Sequence, residues 1–244
     1  MLEGLYSAAA GMAAQQEQLN AIGNDLANLD TNGYRSERVA FRDLLYNPVE
    51  MSGTQTAVGA GAGAAVIGSS QAQGAIKQTG DPLNVAIEGE GFLGVALANG
   101  TVALTRDGAL SVDAKGSITT AEGDSLSPPI TLPAGISAGA LRIATDGTVT
   151  AAGKTLGQIK LLTVPAPQRL LANGSGQLLT NAASGAPTPT ATGTIHQGAL
   201  EESNVDMARE MALMVSTQRA FQMTSSAIQN DSQMMSYANE LRPA

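Results

Sequence analysis

The chain has 244 residues with 21 Asp and Glu against 13 Lys and Arg; its net charge of −8 argues against a nucleic-acid or anionic-lipid surface. It has no cysteine and one histidine, His196, which excludes disulfides, thiol catalysis, thiolate metal sites and a histidine cluster for zinc. Aromatic residues make up 3% and Trp is absent, so a core must be built from Ala, Val, Ile, Leu and Met.

In chain order, the first predicted element is a long helix from about Leu2 to Leu29. Leu5, Met12, Leu19 and Leu26 recur at a spacing of seven, with Ala8, Ile22 and Leu29 on the adjacent seam. Its expected stop is Asp30-Thr31-Asn32-Gly33, with Gly33 as a left-handed C-cap. Glu3 follows the start at once and no basic leader precedes it, so no cleavable signal peptide is expected. A mixed segment, Tyr34 to Tyr46, is closed by Pro48. Ser52 to Ser70 is then rich in Gly, Ala, Ser and Thr without helical period and reads as a linker. The most apolar run, Ala57 to Ile67, is too short for a membrane span.

From Leu83 the period changes to two. Val85 to Ile87, Phe92 to Leu97 and Thr101 to Thr105 read as strands, the last two joined at Asn99-Gly100. Further turns at Asp107-Gly108 and Asp146-Gly147, and a strand from Gln158 to Val164, complete a central all-β domain. The last element is a second long helix. Leu200, Met207, Met214, Phe221, Ile228 and Met235 recur at seven, with Met211 beside them. Ser203 or Asn204 is the expected N-cap, Glu201 and Glu202 favour the positive helix end, and Leu241, Arg242 and Pro243 are the expected stop.

Off these seams the helices are nearly uncharged: Arg219 and Asp231 are the only charges between Met211 and Asn239, and Glu17 the only one between Leu5 and Asn24. An exposed coiled coil carries Glu and Lys on its outer positions, so small uncharged faces suit helices touched by neighbours on several sides. The alternative is a pair of helices closing a monomeric bundle. The expected fold is therefore α+β: terminal helices pairing as a coiled-coil-like domain (1–33 and 199–244), a connecting segment (34–80) and a central β domain (81–198).

Chemistry is not expected. Gly89-Glu90-Gly91-Phe92-Leu93-Gly94 matches a dinucleotide fingerprint but leads into a strand, where no helix N-terminus can hold a pyrophosphate. Asp81, Glu88, Glu90 and Asp107 have no spacing that pairs them for acid–base work, and His196 reads as structural or exposed. Asn173-Gly174-Ser175 reads as a turn, although it also fits a glycosylation acceptor. Neither catalytic residue, cofactor nor metal site is assigned.

Several stretches resemble signatures of the bacterial flagellar rod and hook proteins, in order along the whole chain. Asp25 to Arg35, which includes Ala27, Asn28, Thr31, Gly33 and Tyr34, resembles the end of their first helix. Gly80 to Phe92 and Thr105-Arg106-Asp107-Gly108 resemble their β domain. Gln197 to Val205, with Ser203, Asn204 and Val205, and Gln218-Arg219-Ala220-Phe221 resemble their C-terminal signature. Phe41 to Tyr46 and the Gly-rich stretch after it are most similar to the distal-rod branch; the proximal-rod and hook-type branches are the alternatives, and a monomeric secreted binding module is the reading from another class. The resemblance implies a self-assembling tubular homo-oligomer in the basal body, within the cell envelope, exported by the flagellar export apparatus. It also implies contacts with other rod proteins, the hook protein and surrounding envelope rings, with no nucleic acid and no direct membrane insertion. Residues 34–80 would then contact neighbouring subunits.

Overall fold

A computed structural model of the chain describes residues 2–44, 46–51, 54–133 and 135–240. The architecture is α+β, with a helix at each end (α1, Leu2–Ala27; α2, Met207–Glu240) and strands between them. The chain folds as two compact units. One comprises Met1–Leu26, Glu37–Ile67 and Asp206–Ala244; the other comprises Ala27–Ser36 and Gly68–Val205. They are termed the helical unit and the β unit.

In the β unit, the hairpin anticipated at Asn99-Gly100 is present. Phe92–Ala96 pairs antiparallel with Val102–Thr105, and the Asn99 side chain accepts the Thr101 N–H at 3.0 Å. Among the described residues this hairpin belongs to a nine-stranded sheet: seven strands run from Leu171–Gly174 through Gln177–Leu179, Val102–Thr105, Phe92–Ala96, Ser125–Leu126 and Ile118–Thr119 to Ser111–Val112, and Leu161–Thr163 branches from Phe92–Ala96 and carries Thr188–Pro189. The unit also holds a three-stranded sheet of Leu141–Ile143, Thr148–Ala151 and Lys154–Gln158 and two pairs, Val85–Glu88 with Thr194–Gln197 and Ile76–Gln78 with Ala199–Glu201. Ile87, Leu93, Ile118, Leu126, Ile130, Leu141, Val149 and Ile195 meet in one cluster. The scarcity of aromatics is met as composition requires, by interdigitated aliphatic side chains. Gly89 and Gly91 take φ of +92° and +134° between two strands, so the fingerprint is a turn. Asn173-Gly174-Ser175 runs from the end of the strand Leu171–Gly174 into the turn at Ser175, Gly174 and Ser175 both having positive φ.

In the helical unit, the stretch expected to be a linker is β structure. Tyr46–Met51 pairs with Thr54–Gly59 as a hairpin, and Ala62–Ser69 pairs with Glu37–Asp43. Small residues concealed it: a Gly- and Ala-rich strand has no apolar alternation to read. Gly61, with φ of +98°, sits where a Cβ would approach the Ser7 carbonyl oxygen of α1 to 2.8 Å, so only glycine admits this contact.

Helix ends depart from expectation at three places. α1 stops at Ala27, in a turn where the Thr31 N–H and hydroxyl bond to the Asn28 carbonyl and side chain. Gly33 is left-handed (φ +66°) but is not the C-cap, because it follows that turn inside the β unit. Leu200 lies on the strand Ala199–Glu201, opposite Lys77, rather than in α2; its place in the seven-residue spacing is a coincidence overridden by strand pairing. α2 is capped by Asp206, whose Oδ1 accepts the Ala208 and Arg209 N–H groups at 3.0 and 3.2 Å. Ser203 and Asn204 are engaged elsewhere: the Ser203 hydroxyl accepts the Val205 N–H, and the Asn204 side chain accepts the Ser36 N–H. The expected stop at Leu241, Arg242 and Pro243 lies outside the described residues, as does Leu45.

Candidate functional site

Two features rise above ordinary packing, one in each unit. In the helical unit it is the surface of the helices. Along α2, Met214, Phe221, Ile228 and Met235 are half-buried, together with Leu213, Ala220 and Thr224, and Thr217 is buried with its hydroxyl donating to the Leu213 carbonyl. At 100° per residue these share one face. Met211, Val215, Met223, Met234 and Tyr237 fall on the opposite half, between 47% and 69% exposed. So Met211, expected beside the seam, faces outward, and Met207, expected in it, is exposed at the first residue of the helix. Gln218 and Arg219 are exposed; Ala220 is not.

On α1, Ile22 is buried, and Leu5, Met12, Leu19 and Leu26 are half-buried. The deepest positions also include Ala14, Ala21 and Asp25. Ala14 and Ala21 are themselves seven apart, a signal hidden by their size. Among the described residues, every large hydrophobic side chain classed as exposed belongs to the helical unit, except Leu171. Tyr6, Phe41, Val66 and Ile67 are further exposed apolar side chains of the same unit. Apolar surface concentrated in one unit marks a place where another surface binds.

Carboxylates meet inside this unit. The buried Asp25 accepts the Glu37 N–H at 3.0 Å, and the Glu37 carboxylate accepts from the Asn24 amide at 2.8 Å. Burial holds the Glu37 carboxyl above its ordinary range; the Asn24 hydrogen bond opposes this, and Asp25 and Glu17 reinforce it. Burial also raises Glu210, in the first turn of α2, with Asp25 and Asp206 adding to the shift and Arg209 opposing it. A raised folded-state pKa contributes stability that is full below the ordinary Glu value of about 4.3 and is lost as pH rises through the folded value. Proteolytic resistance of α1 and α2 is therefore expected to fall as the pH is raised above the ordinary Glu value. Glu37→Gln with Glu210→Gln should flatten the profile; an unchanged profile would mean that neither carboxyl contributes.

In the β unit the feature is a buried ionic clasp. Glu201 is 1% exposed and sits between two guanidinium groups, Arg35 at 2.9 Å and Arg106 at 3.0 Å, themselves 5% and 6% exposed at the side chain. Arg35 also donates to the Ala72 carbonyl. Arg106 also donates to the Gly89 carbonyl at 2.8 Å, and its guanidinium carbon stands 5.2 Å from the Phe92 ring centroid. The Gly74 N–H donates to the Glu201 carboxylate, and the Gly33 N–H donates to the Glu201 carbonyl. Beside them the Asn204 N–H donates to the Tyr34 carbonyl and the Asn204 side-chain amide to Ala72. Burial pulls the Arg35 guanidinium below its ordinary value; Glu201 opposes this and Arg106 reinforces it. Removing one member of such a cluster costs about 3–5 kcal/mol, because the remaining charge is left buried without its partner.

Glu201 is thus no helix-dipole charge, as the sequence suggested, but the anion of this cluster. The motifs seen separately in the sequence, ending in Tyr34-Arg35, Thr105-Arg106 and Glu201 to Asn204, converge here. His196, by contrast, pairs with Glu88 at 2.6 Å at a partly exposed position. Among the described residues no group of His, Asp and Glu is arranged to hold a metal, and no helix is long and apolar enough to cross a membrane.

Comparison with known proteins accounts for all three regions. Residues 5–35 match the family described as flagella basal body rod protein, residues 86–151 the flagellar hook protein FlgE/F/G D1 domain, and residues 196–241 the flagellar basal body rod FlgEFG protein C-terminal. The flagellar basal-body rod protein FlgG of Borreliella burgdorferi is 34% identical, over 99% of each chain. The FlgG protein of Caulobacter vibrioides is also 34% identical, over 99% of this chain and 100% of that one. A flagellar basal-body rod protein FlgF from Mesorhizobium japonicum is 29% identical, over 92% of this chain and 91% of its own.

Proposed function

The chain belongs to the flagellar basal-body rod protein family, structural proteins rather than enzymes, and from that premise we propose that it is the subunit of the distal rod, assembling into a hollow shaft that transmits torque and passes exported subunits. Its full-length similarity to FlgG proteins, against the lower identity to a FlgF protein, favours the distal over the proximal branch. As a basal-body rod protein it assembles with other rod and hook proteins. The finer reading adds envelope rings around the shaft, the flagellar export apparatus as its route, and a position in the periplasm reached without a cleavable signal peptide.

The observation that carries assembly is the distribution of apolar surface. The helical unit keeps Met211, Val215, Met223, Met234 and Tyr237 exposed while the β unit exposes only Leu171 among its described large hydrophobics. A monomer has no use for this asymmetry; a polymer covers it. In this reading the terminal segments, 1–33 and 199–244, supply through α1 and α2 a coiled-coil-like inner tube. Leu5, Met12, Leu19, Ile22, Leu26, Met214, Phe221, Ile228 and Met235 lie along its seam. Residues 34–80 contact neighbouring subunits, and residues 81–198 form the β domain.

Sedimentation velocity and electron microscopy of the purified full-length chain over a rising concentration series test this. Tubular polymers that appear above a threshold concentration are expected. A chain that stays monomeric with stable helices at the highest concentration is a binding module instead.

A further inference from the structure

The clasp is electrically lopsided. Arg106 and Glu201 form a neutral pair by themselves, and Arg35 brings a second cation to the same buried carboxylate. The two terminal segments that meet there are therefore not equivalent. The segment containing Glu201 is also held by its own hydrogen bond, Glu202 N–H to the Ala75 carbonyl at 2.8 Å, and by strand pairing of Leu200 with Lys77. The segment containing Arg35 meets the other one through Gly33 N–H to the Glu201 carbonyl and Ser36 N–H to the Asn204 side chain, both at 2.8 Å; its other ties are Ser70 N–H to the Ser36 carbonyl at 2.7 Å and Arg35 to the Ala72 carbonyl, so what sets it apart is the charge it must bury.

We infer that the clasp is a one-way latch: residues 201–204 dock on the β unit without residues 33–36, whereas residues 33–36 dock only once Glu201 is in place. Without Glu201, docking residues 33–36 would bury two guanidinium groups side by side with no anion, an arrangement that desolvation and repulsion both oppose. With Glu201 present, the second cation meets the carboxylate oxygen that Arg106 does not use, which otherwise accepts only the Gly74 N–H. A chain is made from its N-terminus, so the junction after α1 cannot close until the stretch just before α2 has arrived. The latch thereby withholds the N-terminal junction from the folded unit until the strand Ala199–Glu201 is present.

Amide hydrogen exchange on the full-length protein tests the asymmetry. In Glu201→Gln the Gly33 and Ser36 amides are expected to lose protection by at least about tenfold, while the core amides of Val85 and Ile118, bonded to Gly108 and Ile130, stay within about twofold. In Arg35→Met, which keeps the neutral pair, the Glu202 amide is expected to stay within about threefold of its normal protection. Release of Glu202 in Arg35→Met to the extent that Gly33 is released in Glu201→Gln would overturn the latch, as would a protected Gly33 in Glu201→Gln. If Glu201→Gln also loses the core amides, the double variant Arg35→Met/Glu201→Gln decides. Recovery of the core with one cation removed supports the latch, and continued loss overturns it.

Discussion

Replacing Gly33 with valine is expected to lower the thermal midpoint of the β unit by roughly 10 °C, from a loss of about 3–5 kcal/mol. Two costs add. The backbone has φ of +66°, which a β-branched side chain adopts only under strain. A Cβ at this position would come within 2.5 Å of the Arg106 carbonyl carbon and 2.7 Å of its oxygen, and this neighbour is backbone that cannot swing aside. Differential scanning calorimetry of the full chain reads the effect, and Gly33→Asn separates its parts. Asparagine tolerates the left-handed region but keeps the Cβ contact, so it should recover only part of the loss. A melting point equal to that of the unsubstituted chain in Gly33→Val would place Gly33 at a loose helix end, as its sequence context alone suggests.

Phe221→Asp is expected to abolish polymer formation while the β unit melts as before. Phe221 is half-buried on the covered face of α2, and a carboxylate put there without a partner costs several kcal/mol, on the order expected for unpaired buried groups. Because that face packs within the helical unit, the substitution should also reduce helical circular dichroism in the unassembled chain. Met223→Asp is the contrasting variant. Met223 is 69% exposed on the opposite face, so it should leave the monomer's helicity intact and still block assembly. Polymers formed by Phe221→Asp would mean that the seam does not hold the tube together; polymers formed by Met223→Asp would exclude the exposed stripe from the interface.

The amino-acid sequence by itself determined the existence of both helices, the covered face of α2 from Met214 to Met235, the central β domain with its Asn99-Gly100 hairpin, and membership of the rod family. These are local or periodic signals: a seven-residue repeat, a two-residue alternation, a turn pair, and short motifs that keep their order. Where the side chains are small the same reasoning fails, as in the strand Ala62–Ser69 and in the buried Ala14 and Ala21, because alanine and glycine carry no pattern that separates inside from outside. Where a strand competes with a helix, pairing overrides period, as at Leu200. The clasp was beyond reach for a different reason. Arg35 and Glu201 lie 166 residues apart, and Arg106 and Glu201 lie 95 apart. Nothing local distinguishes a buried charge from a solvated one. Only the tertiary structure decides that these three meet, because a charge can be buried only where the fold delivers its partners, and that delivery depends on sheet order, which no spacing along the chain records.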